Sequence, residues 1–162
     1  MARRSAGLLV YRFAGGEVEV LLGHMGGPLW SHKDLGAWSI PKGEYDADEP
    51  ALDAARREFR EELGLPPPEG ELLELGEAVQ RSGKVVTVWA VEGEVDVTAA
   101  VPGTFTMEWP RGSGRVQEFP ELDRFVWFTL AAAHDAVFER QRPFLDRLRE
   151  QLDAQRDRTR PA

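Results

Sequence analysis

The stretch Gly43–Leu65, GEYDADEPALDAARREFREELGL, decides how the rest of the chain reads. Its second half predicts a helix that ends at Leu63. Asp48 or Glu49 is placed to cap it, Pro50 suits its first turn, and Gly64 stands where a left-handed residue closes a helix. Pro66-Pro67-Pro68 then forbids continuation. Along this helix Glu58 lies three residues from Glu61 and four from Glu62, so three carboxylates share one face. The positions three and four away from Glu58 are Ala54, Ala55, Glu61 and Glu62; those around Glu62 are Glu58, Phe59, Leu65 and Pro66. None is basic. Like charges at this spacing destabilise a helix by roughly 0.2–0.5 kcal/mol per pair. Of the nearby arginines (Arg56, Arg57 and Arg60), only Arg57 is spaced to reach one of these acids along the helix, namely Glu61. Either the acids simply face water, or a cation arrives from outside the helix. A set of carboxylate oxygens without His or Cys suits Mg²⁺, or Mn²⁺ as its close substitute. Without such an ion, mutual repulsion raises at least one of their pKa values.

The register of the stretch separates these alternatives. Gly43 is followed after five residues by Glu49, and after seven more by Arg57-Glu58-Phe59-Arg60-Glu61-Glu62-Leu63-Gly64-Leu65. This resembles the Nudix box, Gly-x5-Glu-x7-Arg-Glu-U-x-Glu-Glu-x-Gly-U with U a bulky apolar residue, at every fixed position; Phe59 at a U position is the one looseness. A chance match is on the order of one in a million per chain or rarer. The preceding Trp38-Ser39-Ile40-Pro41-Lys42-Gly43 also looks like the strand-to-loop lead-in of Nudix hydrolases.

The resemblance implies an α/β (α+β) fold, a Nudix-type α/β/α sandwich around a mixed central sheet. It further implies hydrolysis of a nucleoside diphosphate linked to some group X, with Mg²⁺ or Mn²⁺ as cofactor. Glu58 and Glu62 would be the principal metal ligands, with Glu61 either a further ligand or the base acting on the attacking water. Arg57 would hold the glutamates in place, partnered by Glu49. Gly43 would permit a tight turn, and the backbone carbonyl of Lys42 would add a ligand. Phe59, Leu63 and Leu65 would pack the core. Many members recruit one more acid from a loop before a late Trp-containing strand. Glu121, six residues before Trp127, matches that pattern, with Glu118 as the fallback and a plain surface carboxylate as the alternative.

The remainder of the chain fits this frame. Segments 5–13 and 17–23 read as two strands across Ala14-Gly15-Gly16, 24–36 as a long loop, and Trp38–Ile40 as a short strand. Strands are also expected at 71–81 and 84–94, at Thr104–Trp109 and at Phe125–Thr129, with a closing helix near Pro143 striped by Phe144, Leu145, Leu148 and Leu152. Residues 1–154 are expected to form one domain and 155–162 a frayed, disordered tail. The 162 residues carry 28 Asp plus Glu against 20 Lys plus Arg, a formal charge of −8, which disfavours nucleic-acid and anionic-membrane partners. Zero cysteines exclude disulfides, thiol nucleophiles and Cys-based metal sites. The apolar run near the start is too short for a signal peptide or a span, so a cytoplasmic protein with a small diphosphate or nucleotide substrate is expected. Composition leaves monomer and homodimer equally open.

Weaker candidates surround the stretch. Trp38, Tyr45, Lys33 and Lys42 are candidate substrate contacts: aromatic faces for a base, ammonium groups for phosphate. For Trp38 the competing reading is a core aromatic, for Tyr45 and Lys33 a loop surface. His24 and His32 could touch phosphate, Trp30 and Trp109 could stack on a base, and Trp89 and Trp127 read as core. The flanking motifs known for ADP-ribose, NADH and coenzyme A specialists are missing, and Arg81, Ser82 and Gly83 offer no tyrosine of the kind often found in dinucleoside polyphosphate specialists. The Trp-Ser-Ile-Pro-Lys-Gly lead-in resembles members acting on dinucleoside polyphosphates or oxidised nucleoside triphosphates. A Nudix fold that senses a nucleotide without turnover is the alternative, and its usual mark is an eroded box.

Overall fold

The computed structural model describes residues 3–159. In chain order the elements are β1 (Arg4–Ala14), β2 (Glu17–Met25), β3 (Trp38–Ser39), β4 (Lys42–Glu44), α1 (Ala51–Leu63), β5 (Leu72–Val79), β6 (Val85–Glu92), β7 (Thr104–Glu108), β8 (Val116–Pro120), β9 (Leu122–Thr129), α2 (Leu130–Ala136) and α3 (Arg142–Thr159). Seven strands make one sheet in the order β3-β2-β1-β6-β5, with β4 also paired to β1 and β9 to β2. β1 and β6 run parallel and the other pairs antiparallel, so the sheet is mixed. β7 and β8 form a separate hairpin.

Alternation along β1 builds a core on each face of the sheet, because successive strand side chains point to opposite sides. Leu9 and Tyr11, with Val20 and Leu22 of β2, pack against Ala133 of α2 and Phe144, Leu145 and Leu148 of α3. Ala6, Leu8 and Val10, with Leu21, pack against Ala54, Ala55, Phe59 and Leu63 of α1. The result is the α/β/α sandwich. Burying a Phe59 or Leu63 side chain contributes roughly 1.5–3 kcal/mol each, so α1 is anchored by its apolar face and leaves its acidic face free.

Several elements differ from expectation for local reasons. β8 is exposed along Val116–Glu118 and carries no core-facing alternation; only its pairing with β7 makes it a strand. β9 begins at Leu122 rather than Phe125, since Leu122 already pairs with Met25. At the start of α1 the cap position is Pro50, with no side-chain cap bond, because the Glu49 carboxylate is turned to Arg57. The helix closes as expected on Gly64 (φ 67°), whose N–H donates to Arg60 O at 2.7 Å. α3 continues to Thr159 instead of fraying at 155, and Thr159 Oγ1 donates back to Gln155 O and Arg156 O. Residues 160–162 of the expected tail lie outside the described residues. Trp89 and Trp127 are half-buried at the core's edge rather than inside it; the Arg12 guanidinium covers the Trp127 ring at 4.1 Å. No helix among the described residues is long and apolar enough to cross a membrane.

Candidate active site

The acidic face of α1 is met by a forked strand. β1 pairs with β6 along one flank from Arg4 to Tyr11, while its other flank takes β4 opposite Ser5–Gly7 and β2 opposite Tyr11–Ala14. Leu8 N–H closes the fork on Pro41 O at 3.2 Å. This lays Lys42 and Gly43 against α1. A Cβ at Gly43 would fall on the Glu58 carboxyl group, so the glycine lets that carboxyl lie against the strand where any side chain would displace it.

Arg57 organises the exposed half of the cluster. Its Nε and Nη2 donate to the two carboxylate oxygens of Glu49, both at 2.9 Å. Nη1 donates to Glu58 Oε1 at 2.9 Å and to both oxygens of Glu61 at 3.2 Å, and Nη2 also reaches the Glu44 carbonyl at 3.3 Å. Spacing along the helix restricted Arg57 to Glu61; the side chain instead serves Glu58 as well, folding back across its own neighbour. Of the three acids, Glu62 is therefore the one without an ion pair among the described residues, Lys42 acting on it only from beyond pairing distance. The Arg57 bond holds the Glu49 carboxyl below its ordinary value, and the same bond is the main cause that holds the Arg57 guanidinium above its own.

Glu62 carries the uncompensated charge. Its Oε2 is buried without a hydrogen-bond partner. Burial first, then repulsion from Glu121 and Glu58, pushes its pKa up to about 8, against some relief from Lys42. Glu58, 8% exposed, is raised as well, by burial and then by Glu61, with Arg57 opposing. Lys42 is lowered, chiefly by burial and next by Lys84. Glu58, Glu61, Glu62, Lys42, Lys84 and Glu121 line one cleft of about 450 Å³. Ser5 Oγ faces the same cleft and is a second buried polar atom without a partner. With side chains in these positions, no three acidic or imidazole groups among the described residues stand close enough to ring an ion by themselves.

Several expected site residues lie elsewhere. Trp38 is 3% exposed, its indole N–H donating to Asp34 Oδ1 at 3.0 Å and its ring packed by His24 and Phe128, so it offers no face to a ligand. Lys33 sets its ammonium over the Trp30 ring at 4.9 Å on the exposed loop, away from the cleft. Tyr45 lines a neighbouring hollow with Arg3, Arg4, Glu44, Asp46, Glu49 and Arg57, beside the acidic cleft rather than in it. His24 is buried, with Nδ1 2.9 Å from Asp123 Oδ1 and Nε2 2.6 Å from Lys33 O, so it ties the 24–36 loop to β9 rather than facing a ligand. Glu118 sits exposed on β8 opposite Thr106, outside the cleft. Ser5 and Lys84 were not legible as site residues: each sits at the end of a strand with no motif around it, and only the β1–β6 pairing brings them beside α1.

Comparison with known proteins agrees with this architecture. The NUDIX domain family matches residues 1–148, and the chain belongs to that family. A curated relative, the RNA pyrophosphohydrolase of Gluconacetobacter diazotrophicus, is 38% identical over 68 residues. That match covers 38% of this chain and 36% of the relative, so the chain spans about a third of the relative's length. Among solved structures, a Caenorhabditis elegans Ap4A hydrolase in a binary complex superposes with a TM-score of 0.63 at 22% identity, over 93% of this chain and 98% of that one. The NUDIX domain of Shewanella oneidensis NrtR complexed with ADP ribose gives 0.62 at 16% identity, covering 94% and 89%. The Nudix hydrolase RenU of Mycobacterium smegmatis gives 0.58 at 25% identity, covering 93% and 85%.

Proposed function

We propose that the chain hydrolyses a diphosphate linkage in a nucleotide-like substrate, with a divalent cation, Mg²⁺ or Mn²⁺, held in the acidic cleft. The observation that carries this reading is the partnerless, buried Glu62 oxygen beside Glu58 and opposite Glu121. An all-oxygen donor set, two orphaned buried oxygens and the Gly43 cradle fit a hard cation. Glu58, Glu62 and the Lys42 carbonyl would hold it, with Glu61 contributing through whichever oxygen Arg57 releases. Bound there, the ion supplies charge neutralisation for the diphosphate and lowers the pKa of water.

The chain's own residues do the rest. Arg57 fixes Glu58 and Glu61 in one orientation through its five-donor fork, whose planarity a lysine lacks. Lys42 and Lys84 bring positive charge to the phosphate side of the cleft. Of the two candidate bases, Glu121 is the better one. Both Glu61 oxygens accept from Arg57, which turns that carboxylate toward the guanidinium. Glu121 has no ion pair among the described residues and comes from a different segment, across the cleft from α1. It is suited to take the proton from attacking water.

Dinucleoside polyphosphates and nucleoside triphosphates, oxidised ones included, are the substrate classes favoured. The Ap4A hydrolase and the RNA pyrophosphohydrolase among the relatives lend support to a diphosphate bond in a nucleotide. A binding module without turnover has its own parallel in the NUDIX domain bound to ADP ribose, but the complete acidic set favours hydrolysis. The test is a screen of purified protein with Mg²⁺ or Mn²⁺ against nucleoside triphosphates, oxidised guanine nucleotides, dinucleoside polyphosphates, nucleotide sugars and a 5′-triphosphorylated oligonucleotide. Turnover lost in Glu62→Gln with the fold retained supports the enzyme; thermal stabilisation by nucleotide without any product refutes it.

A further inference from the structure

The sheet ends on two unlike edges. β2 carries β1 along Glu17–Val20 and β3 at Gly23–His24. β9 pairs with β2 along Glu19–Met25, overlapping both, and so holds the opposite flank. No strand among the described residues pairs with the far side of β9, which makes β9 one edge of the sheet and β5 the other. An open edge offers unpaired N–H and C=O groups to other chains, and proteins normally blunt it with charge, a bulge or a covering element. β5 has all three. Its register shifts between Glu74 and Glu77, around Gly76 (φ 75°), and those two residues are acids. α3 covers its carbonyls: Arg147 Nη1 donates to Leu75 O at 2.9 Å and to Glu77 O at 2.7 Å, and Gln151 Nε2 donates to Glu74 O.

β9 lacks these defences from Arg124 onward. Its one register shift falls at His24/Met25, and Arg124–Thr129 runs in unbroken register with Glu19–His24. That segment, RFVWFT, contains no Pro, Lys or acid. Its one charge, Arg124, has Asp123 at 3.7 Å, so the edge is locally neutral although the chain carries −8. Val126, at the middle of Arg124–Phe128, is 40% exposed. The direction of the backbone groups follows from β2. Met25 N–H donates to Ala37 O at 2.9 Å, so alternation turns the groups of Leu22 and His24 toward β9, and those of their partners Val126 and Arg124 back toward β2. The N–H and C=O of Phe125 and Trp127 then point outward, and no hydrogen bond from outside the sheet reaches them among the described residues.

We propose that this edge pairs with the same edge of a second copy of the chain, antiparallel about a two-fold axis at Val126, so that two sheets become one. A two-fold interface must be self-complementary, and the segment meets that demand. With the axis at Val126, Phe125 and Trp127 exchange their outward N–H and C=O groups with Trp127 and Phe125 of the second copy. On the α1 face the same residues, already in that core cluster, set an aromatic pair on each side of the axis. On the other face the two Val126 side chains meet, and each Arg124 lies opposite a Phe128. Aromatic and β-branched cross-strand pairs are favourable, as is a guanidinium beside an aromatic ring. Asp123 falls opposite Thr129, so no like charges oppose one another. The same operation on β5 would crowd Glu74 and Glu77 against a second set of acids. Pairing at an edge leaves both faces of the sheet uncovered, the acidic cleft included, and does not depend on what that cleft hydrolyses.

The test is sedimentation velocity of the whole chain over about 1–200 µM, because one strand pair is a small interface whose dimer dissociates on dilution. The dimer fraction should rise with concentration. Val126→Glu sets two carboxylates against each other on the axis and should weaken association at least tenfold. Val126→Cys gives a second readout, since the chain has no cysteine of its own. Residues opposed in this non-hydrogen-bonded manner stand about 4.5 Å apart at Cα, within the roughly 4.4–6.8 Å that a disulfide spans. Mild oxidation should therefore join Val126→Cys chains into a covalent dimer. Val79→Cys, on β5 and more exposed still, should react far more slowly. Should Val126→Glu fail to fold, the two cysteine variants decide. A monomer throughout the range, a dimer that folded Val126→Glu leaves unchanged, or cross-linking of Val126→Cys no faster than of Val79→Cys overturns the proposal.

Discussion

Replacing Glu62 by glutamine removes a charge that the fold holds at a penalty. The carboxyl sits at about 8 in the folded chain against an ordinary 4.5. Between those values the folded state binds a proton that the unfolded chain has released, so stability falls as pH rises through the window. Below about 4.5 both states are protonated and the penalty vanishes; above about 8 it is complete. At about 1.4 kcal/mol per tenfold change in proton affinity, the ceiling is roughly 4–5 kcal/mol. An uncharged amide of the same shape escapes it. In chelator-treated protein, Glu62→Gln should therefore match wild type near pH 4.5 and outgrow it toward pH 8. For a chain of this length the gain is on the order of 10 °C in melting temperature. Calorimetric scans at intervals from pH 4.5 to 9 measure it. Adding Mg²⁺ should raise the wild-type melting temperature most at the alkaline end and the variant's much less, because an ion can relieve only a charge that is present. A variant that melts no higher than wild type at any pH, or a wild type whose stability climbs across the window relative to the variant, refutes the electrostatic reasoning.

Gly43→Ala should abolish most turnover, since its Cβ would displace the Glu58 carboxylate; steady-state kinetics with circular dichroism distinguishes this from unfolding. Arg57→Ala leaves the buried Glu58 without its donor, and is expected to lower stability by about 1–3 kcal/mol and kcat by at least tenfold; an unchanged kcat would remove Arg57 from the positioning of the acids. Glu121→Gln should lower kcat by about 10²–10⁴ if Glu121 is the base. Because repulsion from Glu121 is the second cause of the Glu62 shift, the same variant should also move the Glu62 titration in metal-free protein to lower pH, as followed by carboxyl NMR.

The one-dimensional pattern carried the helix, its Gly64 stop and the carboxylate face, because all three depend on residues within one or two turns of each other. The alternating apolar runs of β1 and β2 were legible for the same reason. What lies between remote segments was not. The cap expected of Asp48 or Glu49 gave way to the Glu49–Arg57 pair, a contact that outweighs a helix-end bond because it is bidentate and charged. Trp38 and His24, polar-tipped and flanking the stretch, were drawn into the core by strand pairing. β8 had no period to betray it.

Sequence alone determined which oxygens cluster and that they would repel, since helical spacing is a local property of the chain. Only the tertiary structure decided which of them stays uncompensated. Arg57 bends back to serve Glu58 and Glu61, while the β1 fork, the Lys42–Gly43 segment and the Glu121 turn close over Glu62 and bury its Oε2. Desolvation depends on everything packed around a group, and that surrounding is assembled from strands tens of residues apart.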